Sequence, residues 1–239
     1  MTGARGADRI LGVVLAGGLA RRMHGQDKGL LPLAGSPIIS RVIARARPQV
    51  ARLILNTNGD PARFFDLGLD IVADTVPGFA GPLAGLLAAM RWADAHDPRL
   101  THVATFAADT PFVPLDLVAR LDAALSATPG AAVAIARSPA GIQPVFALVP
   151  VTLADRLAAD LAAGAARRVL AWLHQSPVAH ADFVEEAGRD PFFNINTPED
   201  LAAAEILAAA DPGERTAISF DERRDLDPPA DQERIRDQP

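Results

Sequence analysis

Short apolar runs recur along the chain and alternate with longer segments that have the periodicity of helices. The apolar runs occupy residues 10–16, 53–55, 71–73, 103–108, 131–136 and 144–149. The segments with a helical pattern occupy residues 37–47, 82–95, 114–126, 152–163, 167–174 and 198–210. Strands that alternate with helices predict βαβ units in series, and therefore an α/β fold whose parallel sheet carries helices on both faces.

The composition fits one α/β domain followed by a tail. Of the 239 residues, 49% are hydrophobic and 22% are charged, which is enough for one sizeable core. Residues 211–239 contain nine acidic residues, five arginines and few large apolar residues. We therefore predict a domain over residues 1–210 and a flexible acidic tail over residues 211–239, with a partner-binding segment as the alternative interpretation of the tail.

Charge and cysteine content exclude several classes of function. The formal net charge is −6 and no run of Lys and Arg could follow a phosphate backbone, so nucleic acid is not an expected partner. The absence of cysteine excludes disulfides, thiolate metal sites and cysteine nucleophiles, and the five histidines show no zinc-ligand spacing. Because the chain shows neither a signal-peptide pattern nor an apolar run of membrane-spanning length, we expect a cytoplasmic protein that does not contact a membrane.

The loop after the first strand carries a candidate phosphate site. In α/β sheets, ligands bind where loops leave the carboxyl ends of the strands. The segment LAGGLARRMHGQDKG places Gly17 and Gly18 where backbone amides could approach phosphate oxygens, and adds the charges of Arg21, Arg22 and Lys28. It has neither the P-loop pattern nor G-x-G-x-x-G. It predicts a phosphate-binding loop, the alternative being an ordinary glycine-rich turn with solvated basic residues.

Asp109 follows another buried strand in the run THVATFAADTPFVP. A carboxylate in that position is costly unless it is paired or binds a cation, and a hard Mg²⁺ ion bridging phosphate oxygens would satisfy it. The alternative is that Asp109 caps the next helix, a role that Thr110 or Asp116 could also fill.

Asp74 also ends an apolar run, and the loop VPGFAGPLAG follows it. The small residues at positions 78, 80, 81, 84 and 85 indicate a backbone packed closely against a flat ligand or another backbone. For any single glycine, ordinary packing is an equally good interpretation.

These motifs together resemble those of a known enzyme family. The landmarks LAGGLARRMHGQDKGLLPL, ILNTN, GPLAGLLAAM, AADTPFVP, PVFAL, GAARRVLAWL and FFNINTPEDL occur in this order over residues 12–203. The chain resembles the molybdenum cofactor guanylyltransferases, a branch of the glycine-rich-loop nucleotidyltransferases. The first motif is typical of the wider superfamily, whereas GPLAG, DTPF and FNINTPEDL are specific to the molybdopterin-nucleotide branch. The resemblance implies a Rossmann-like three-layer fold with a mostly parallel central sheet.

The resemblance also implies roles for individual residues. Nucleotide binding would fall to residues at successive strand ends: Leu15, Ala16, Gly17, Gly18, Lys28, Asn56, Asp74 and Asp109. Within this set, Lys28 would pair with the phosphates and Asp109 would bind Mg²⁺, while Arg22 would also contact phosphate. Asn194 and Asn196 would lie on the acceptor side, unless they only fix a tight turn. The chain departs from the family pattern at His24, where glycine is common, and at Gln143, where histidine is frequent.

The implied reaction is the transfer of GMP from GTP to molybdopterin or Mo-molybdopterin, with Mg²⁺ as cofactor and pyrophosphate as product. Molybdoenzyme apoproteins or their chaperones would then be partners. Three alternatives remain at this point: a cytidylyltransferase acting on the same pterin, a sugar-phosphate nucleotidyltransferase of the same fold, and a non-catalytic carrier of the cofactor.

Overall fold

The computed structural model describes residues 6–16, 27–76, 81–166, 168–185 and 188–210. Three predicted nucleotide or phosphate residues, Gly17, Gly18 and Arg22, lie outside this range, as do His24 and the predicted tail. No helix in the described part of the chain combines the length and apolar character needed to cross a bilayer.

A seven-stranded sheet forms the centre of the domain. Within the described residues the strands are β1 (Ile10–Leu15), β2 (Pro32–Leu33), β3 (Ser36–Pro37), β4 (Arg52–Asn56), β5 (Asp70–Val72), β6 (His102–Ala107), β7 (Val133–Ser138), β8 (Gly141–Pro150) and β9 (Val178–Asp182). The order in the main sheet is β5-β4-β1-β6-β8-β7-β9, and β2 pairs with β3 in a separate hairpin.

Six of the seven strands run in one direction, and β8 runs against its neighbours β6 and β7. Only residues 139 and 140 separate β7 from β8. A connection this short closes a hairpin, because a parallel crossover needs a dozen or more residues. The sequence pattern predicted this strand but not its direction, and it missed β9 and the β2–β3 hairpin.

Helices cover both faces of the sheet, which confirms the three-layer arrangement. They are α1 (Ile38–Ala46), α2 (Pro82–His96), α3 (Leu117–Ala127), α4 (Ala154–Ala162), α5 (Val169–Leu173) and α6 (Pro198–Ala210). Helices α1 and α3 pack on one face, whereas α2, α4 and α5 pack on the other. Each face of the sheet has its own hydrophobic core, and β1 contributes side chains to both. Ile10 and Val14 pack on the face covered by α1 and α3, whereas Leu11 and Val13 pack on the opposite face.

Helix α6 builds a third, smaller core. Its Ala204 and Ala208 pack with Leu33 of the hairpin, and the buried Phe112 and Ile195 join the same cluster. The segments after β6 and before α6 are therefore held together at the carboxyl edge of the sheet.

Candidate functional site

Three strands end side by side at the centre of the carboxyl edge. Leu15 of β1 lies between Asn56 of β4 and Ala107 of β6 in the strand register. The pairing continues one residue further on each side, because Ala16 N–H donates to the Asn56 carbonyl at 2.9 Å and Ala108 N–H donates to the Leu15 carbonyl at 3.2 Å. The next residue after Ala108 is Asp109, which is thereby placed beside the end of β1.

A cleft of about 240 Å³ opens above these strand ends. Its lining combines polar side chains with a few apolar ones: Leu15, Ala16, Asp27, Lys28, Gly29, Asn56, Gly81, Pro82, Ala107, Ala108, Asp109, Val145 and Asn194. Pro82 begins α2, so the amino end of that helix also reaches the cleft. This cleft brings together most of the described residues that the sequence singled out.

Lys28 enters the cleft from a 3-10 turn, Lys28–Leu30, on the amino-terminal side of the β2–β3 hairpin. Its Nζ donates a hydrogen bond of 2.6 Å to Oδ1 of Asn196. The preceding residue, Asp27, lines the same cleft and forms an ion pair of 3.4 Å with Arg63. Burial raises the pKa of the Asp27 carboxyl, and the charge of Arg63 opposes that rise.

Asp109 presents a largely buried carboxylate to the cleft. Burial raises its pKa above the ordinary value, while the charge of Lys28 and a hydrogen bond from the Asn194 side chain act in the opposite direction. Helix α3 begins only at Leu117, with Asp116 at its N-cap position, so Asp109 does not cap that helix. The carboxylate is thus left on the cleft wall, held between an amide and a cation.

Asn56 and Asp74 form a supported pair on the other side of the cleft. Asn56 Nδ2 donates to the Val72 carbonyl at 3.1 Å and to Asp74 Oδ1 at 3.0 Å. Asn58 Nδ2 donates to Asp74 Oδ2 at 2.6 Å, and Asp74 N–H donates back to Asn58 Oδ1 at 2.8 Å. Asp74 itself does not line the cleft, but it holds in place the side chain of Asn56, which does.

Gly85, one of the small residues in the segment after Asp74, lies in the first turn of α2 and has close neighbours. A Cβ at this position would lie 2.2 Å from Asn56 Oδ1 and 2.6 Å from Leu15 Cδ2. The sequence predicted close packing against a flat ligand or another backbone, whereas at Gly85 the close neighbours are the side chains of Asn56 and Leu15, which line the cleft. Gly81 also lines the cleft, but a Cβ added there would meet only open space. Positions 78 and 80 lie outside the described residues.

A distortion of β8 completes the wall. The register with β7 shifts after Ile135, which pairs with Ala147, whereas Ala136 pairs with Gln143. The buried Thr105 side chain takes the place of regular pairing: its hydroxyl donates to the Val145 carbonyl at 2.5 Å and accepts from Ala147 N–H at 3.2 Å. Pro144 has no N–H to donate, so the strand bulges there and Val145 faces the cleft.

Asn194 and Asn196 flank Ile195, which is buried in the third core. The Ile195 N–H donates to the Asp109 carbonyl at 3.0 Å. Asn194 then contacts the Asp109 carboxylate and Asn196 contacts Lys28. Both asparagines therefore lie beside the residues expected to hold phosphate and metal, and they do more than fix a turn.

Six of the described candidates line one cleft, namely Leu15, Ala16, Lys28, Asn56, Asp109 and Asn194. Asp74 and Asn196 do not line it, but they contact the lining residues Asn56 and Lys28. Sequence reasoning missed Asp27, Asn58 and Val145 as parts of this site. The Asp-Lys pair in the first motif was a signal for Asp27, but the contacts of the other two depend on neighbouring strands.

The donor chemistry of Asp109 suits a hard divalent cation. Magnesium in nucleotide enzymes is commonly held by one or two carboxylates and completes its coordination with phosphates and water. Asp109 offers one such carboxylate in a cleft that Lys28 also lines. Among the described residues, no group of three or more His, Asp or Glu side chains is arranged to hold a metal ion. The residues present fit an ion shared with a bound triphosphate.

Comparison with known proteins identifies the family. Residues 12–178 match the profile of the MobA-like NTP transferase domain. The molybdenum cofactor guanylyltransferase of Mesorhizobium japonicum is 48% identical over 200 residues, covering 83% of this chain and 95% of the relative. The protein of that name from a Bradyrhizobium species is also 48% identical, covering 84% and 93%. The crystal structure of molybdopterin-guanine dinucleotide biosynthesis protein A from Archaeoglobus fulgidus superimposes with a TM-score of 0.65 at 26% identity, covering 84% of this chain and all of the other. The chain therefore belongs to the molybdenum cofactor guanylyltransferase branch of the MobA-like NTP transferase family.

Proposed function

We propose that the cleft transfers GMP from GTP to the terminal phosphate of molybdopterin or Mo-molybdopterin and releases pyrophosphate. The observation that carries this proposal is the meeting of Lys28 and Asp109 in one cleft at the carboxyl edge of the sheet, in a chain of this family. Guanylyl transfer is supported by the relatives of this chain that are molybdenum cofactor guanylyltransferases.

The reaction requires little acid–base chemistry from the protein. The terminal phosphate of the acceptor is already an anion near neutral pH, so its oxygen can attack the α-phosphorus of GTP without a general base. A new phosphorus–oxygen bond forms there, and the bond from the α-phosphorus to the bridging β-phosphate oxygen breaks. Catalysis then depends on in-line positioning and on offsetting the negative charge that both reactants carry.

The described residues are suited to those two tasks. Lys28 supplies a positive charge for the phosphates, and Arg22 is expected to add a second charge from the glycine-rich loop. Asp109 would hold Mg²⁺ with the help of Asn194, and the ion would supply positive charge to offset the negative charge of the phosphates. Asn56, supported by Asp74, would contact the nucleotide together with Leu15 and Ala16.

Product analysis with separate triphosphates tests the proposal. The purified protein is incubated with molybdopterin, Mg²⁺ and one of GTP, CTP, ATP or UTP, and the pterin product is identified by its mass while pyrophosphate release is measured. We expect a pterin guanine dinucleotide and one pyrophosphate per product with GTP alone. A cytosine dinucleotide would identify a cytidylyltransferase, and binding of GTP and pterin without pyrophosphate release would identify a carrier.

A further inference from the structure

The amino end of α6 is built around the carboxylate of Asp200. Asp200 Oδ2 accepts hydrogen bonds from Asn196 N–H at 2.8 Å and from Thr197 N–H at 2.9 Å. In return, Asp200 N–H donates to Thr197 Oγ1 at 3.1 Å. This reciprocal arrangement is a capping box, which satisfies backbone donors that a helix start leaves unpaired.

One of the two amides that Asp200 holds belongs to Asn196, whose side chain contacts the cleft residue Lys28. The side chain of Asn196 accepts from Lys28 Nζ at 2.6 Å, although the two residues are 168 positions apart. The neighbouring Ile195 is pinned to the Asp109 carbonyl. A continuous set of hydrogen bonds therefore joins Asp200 to Lys28 through the backbone and side chain of Asn196.

The chemistry of this contact suits a lysine that must remain available to phosphate. A lysine ammonium has three donors on a flexible stem, and fixing it costs side-chain entropy. The neutral amide oxygen of Asn196 takes one donor and does not itself cancel the positive charge. A carboxylate at the same distance would form an ion pair and compete with phosphate for that charge.

The state of Asp200 is consistent with this arrangement. Its pKa lies below the ordinary value mainly because Asn196 N–H donates to it, and bonds from Thr197 and the charge of Lys28 act in the same direction. Asp200 is therefore ionised near neutral pH. Its hydrogen bonds from the backbone amides are charge-assisted and so are stronger than bonds between neutral groups.

We propose that Asp200 is a positioning residue for nucleotide transfer, which fixes Asn196 and through it the ammonium of Lys28 in the cleft. This inference rests on the proposed function, in which Lys28 contacts the phosphates. It also places Asn196 on the nucleotide side of the site, whereas the family resemblance suggested the acceptor side.

Kinetics with matched helix-cap variants test the inference. Asp200→Ala removes the acceptor for both amides, whereas Thr197→Ala removes only the reciprocal bond and leaves Asn196 held. Both variants should lower Tm because each loses one side of the cap, and Asp200→Ala should lower it more because it loses two charge-assisted bonds. We expect Asp200→Ala to lower kcat/KM for GTP about tenfold or more, because a misplaced charged group loses transition-state contacts, and Thr197→Ala to lower it less than about threefold. Glu199→Ala, an exposed neighbour in the same turn, serves as the control for lost negative charge.

A double-mutant cycle with Lys28 separates positioning from general destabilisation. In a Lys28→Ala background, Asp200→Ala should lower kcat/KM by less than about twofold, because the group it positions is gone. Should Asp200→Ala fail to fold, Asp200→Asn keeps a weaker acceptor and is expected to lose about threefold, again only when Lys28 is present. Equal losses in both backgrounds, or equal losses for Asp200→Ala and Thr197→Ala, would overturn the inference.

The same measurements distinguish a failure of this inference from a failure of the proposed function. If Lys28→Ala retains the wild-type kcat/KM for GTP, the phosphate role of the lysine is wrong and Asp200 has nothing to position. If Lys28→Ala is impaired but Asp200→Ala is not, the proposed function stands and only the role of Asp200 is rejected.

Discussion

Replacing Gly85 with alanine should push a methyl group into the side chain that supports one wall of the cleft. The added Cβ would lie 2.2 Å from Asn56 Oδ1, 2.8 Å from Asn56 Cγ and 2.6 Å from Leu15 Cδ2. Asn56 is only 3% exposed and is tethered by its bonds to Val72 and Asp74, so it has little room to move away. The added methyl group would therefore clash with Asn56, which cannot move away without losing its hydrogen bonds.

The expected magnitude follows from three terms. Overpacking of a filled interior costs about 1–3 kcal/mol. Displacing Asn56 weakens hydrogen bonds whose net contribution is about 1 kcal/mol each. Alanine in a helix recovers about 1 kcal/mol relative to glycine. We expect a net loss of about 2 kcal/mol in the free energy of unfolding, together with weaker GTP binding.

Urea denaturation and a GTP titration measure the two effects on the same preparation. Gly59→Ala is the matched control, since its Cβ would meet only Thr57 Oγ1 at an ordinary 3.7 Å. The control should stay within about 0.5 kcal/mol of the parent protein. If Gly85→Ala is as stable as the parent and binds GTP equally well, the packing of α2 against Asn56 does not shape the site as described.

Three further changes probe the buried carboxylate, the distorted strand β8 and the C-terminal tail. Asp109→Asn should abolish transfer yet stabilise the ligand-free protein at pH 7. Burial raises the pKa of the Asp109 carboxyl, so the folded protein binds the carboxyl proton more tightly than the unfolded chain does. The parent protein therefore loses stability as the pH rises through the raised pKa, whereas the asparagine variant does not. The stabilisation by Asp109→Asn should fade below the ordinary value of 3.8, and a melting temperature at pH 7 no higher than that of the parent would contradict it. Thr105→Val should cost about 2 kcal/mol by leaving the backbone partners of its hydroxyl unpaired, whereas Thr105→Ser should not; equal urea midpoints for the two variants would refute this. Removing residues 211–239 should leave kcat and KM unchanged. A marked fall in kcat or a marked rise in KM would assign the tail a function.

Much of the fold follows from patterns that are local in sequence. Apolar runs and proline-started helices such as α2 predicted six strands and six helices of the described domain. The sequence pattern did not predict the β2–β3 hairpin, because its turn consists of Ala34, at a φ of 47°, and Gly35 rather than an asparagine–glycine pair. Strand β9 alternates small apolar residues with His180 and Asp182, and it gains its strand character from pairing with β7.

The site was predictable as far as each group follows a strand end. Asp109, Asn56 and Lys28 each follow from that rule or from the first motif, and the topology brings them together. The contact between Lys28 and Asn196 was not predictable, because it depends on α6 returning across the carboxyl edge of the sheet. The same holds for Val145, which faces the cleft through a bulge that Thr105 stabilises.

A crystal structure with a non-hydrolysable GTP analogue and Mg²⁺ would show directly whether Lys28 and Asp109 act on one bound triphosphate. We expect the triphosphate to occupy the cleft, with Lys28 Nζ on phosphate oxygens and a Mg²⁺ ion shared between those oxygens and the Asp109 carboxylate. A triphosphate bound elsewhere, or an ion coordinated without Asp109, would contradict this expectation.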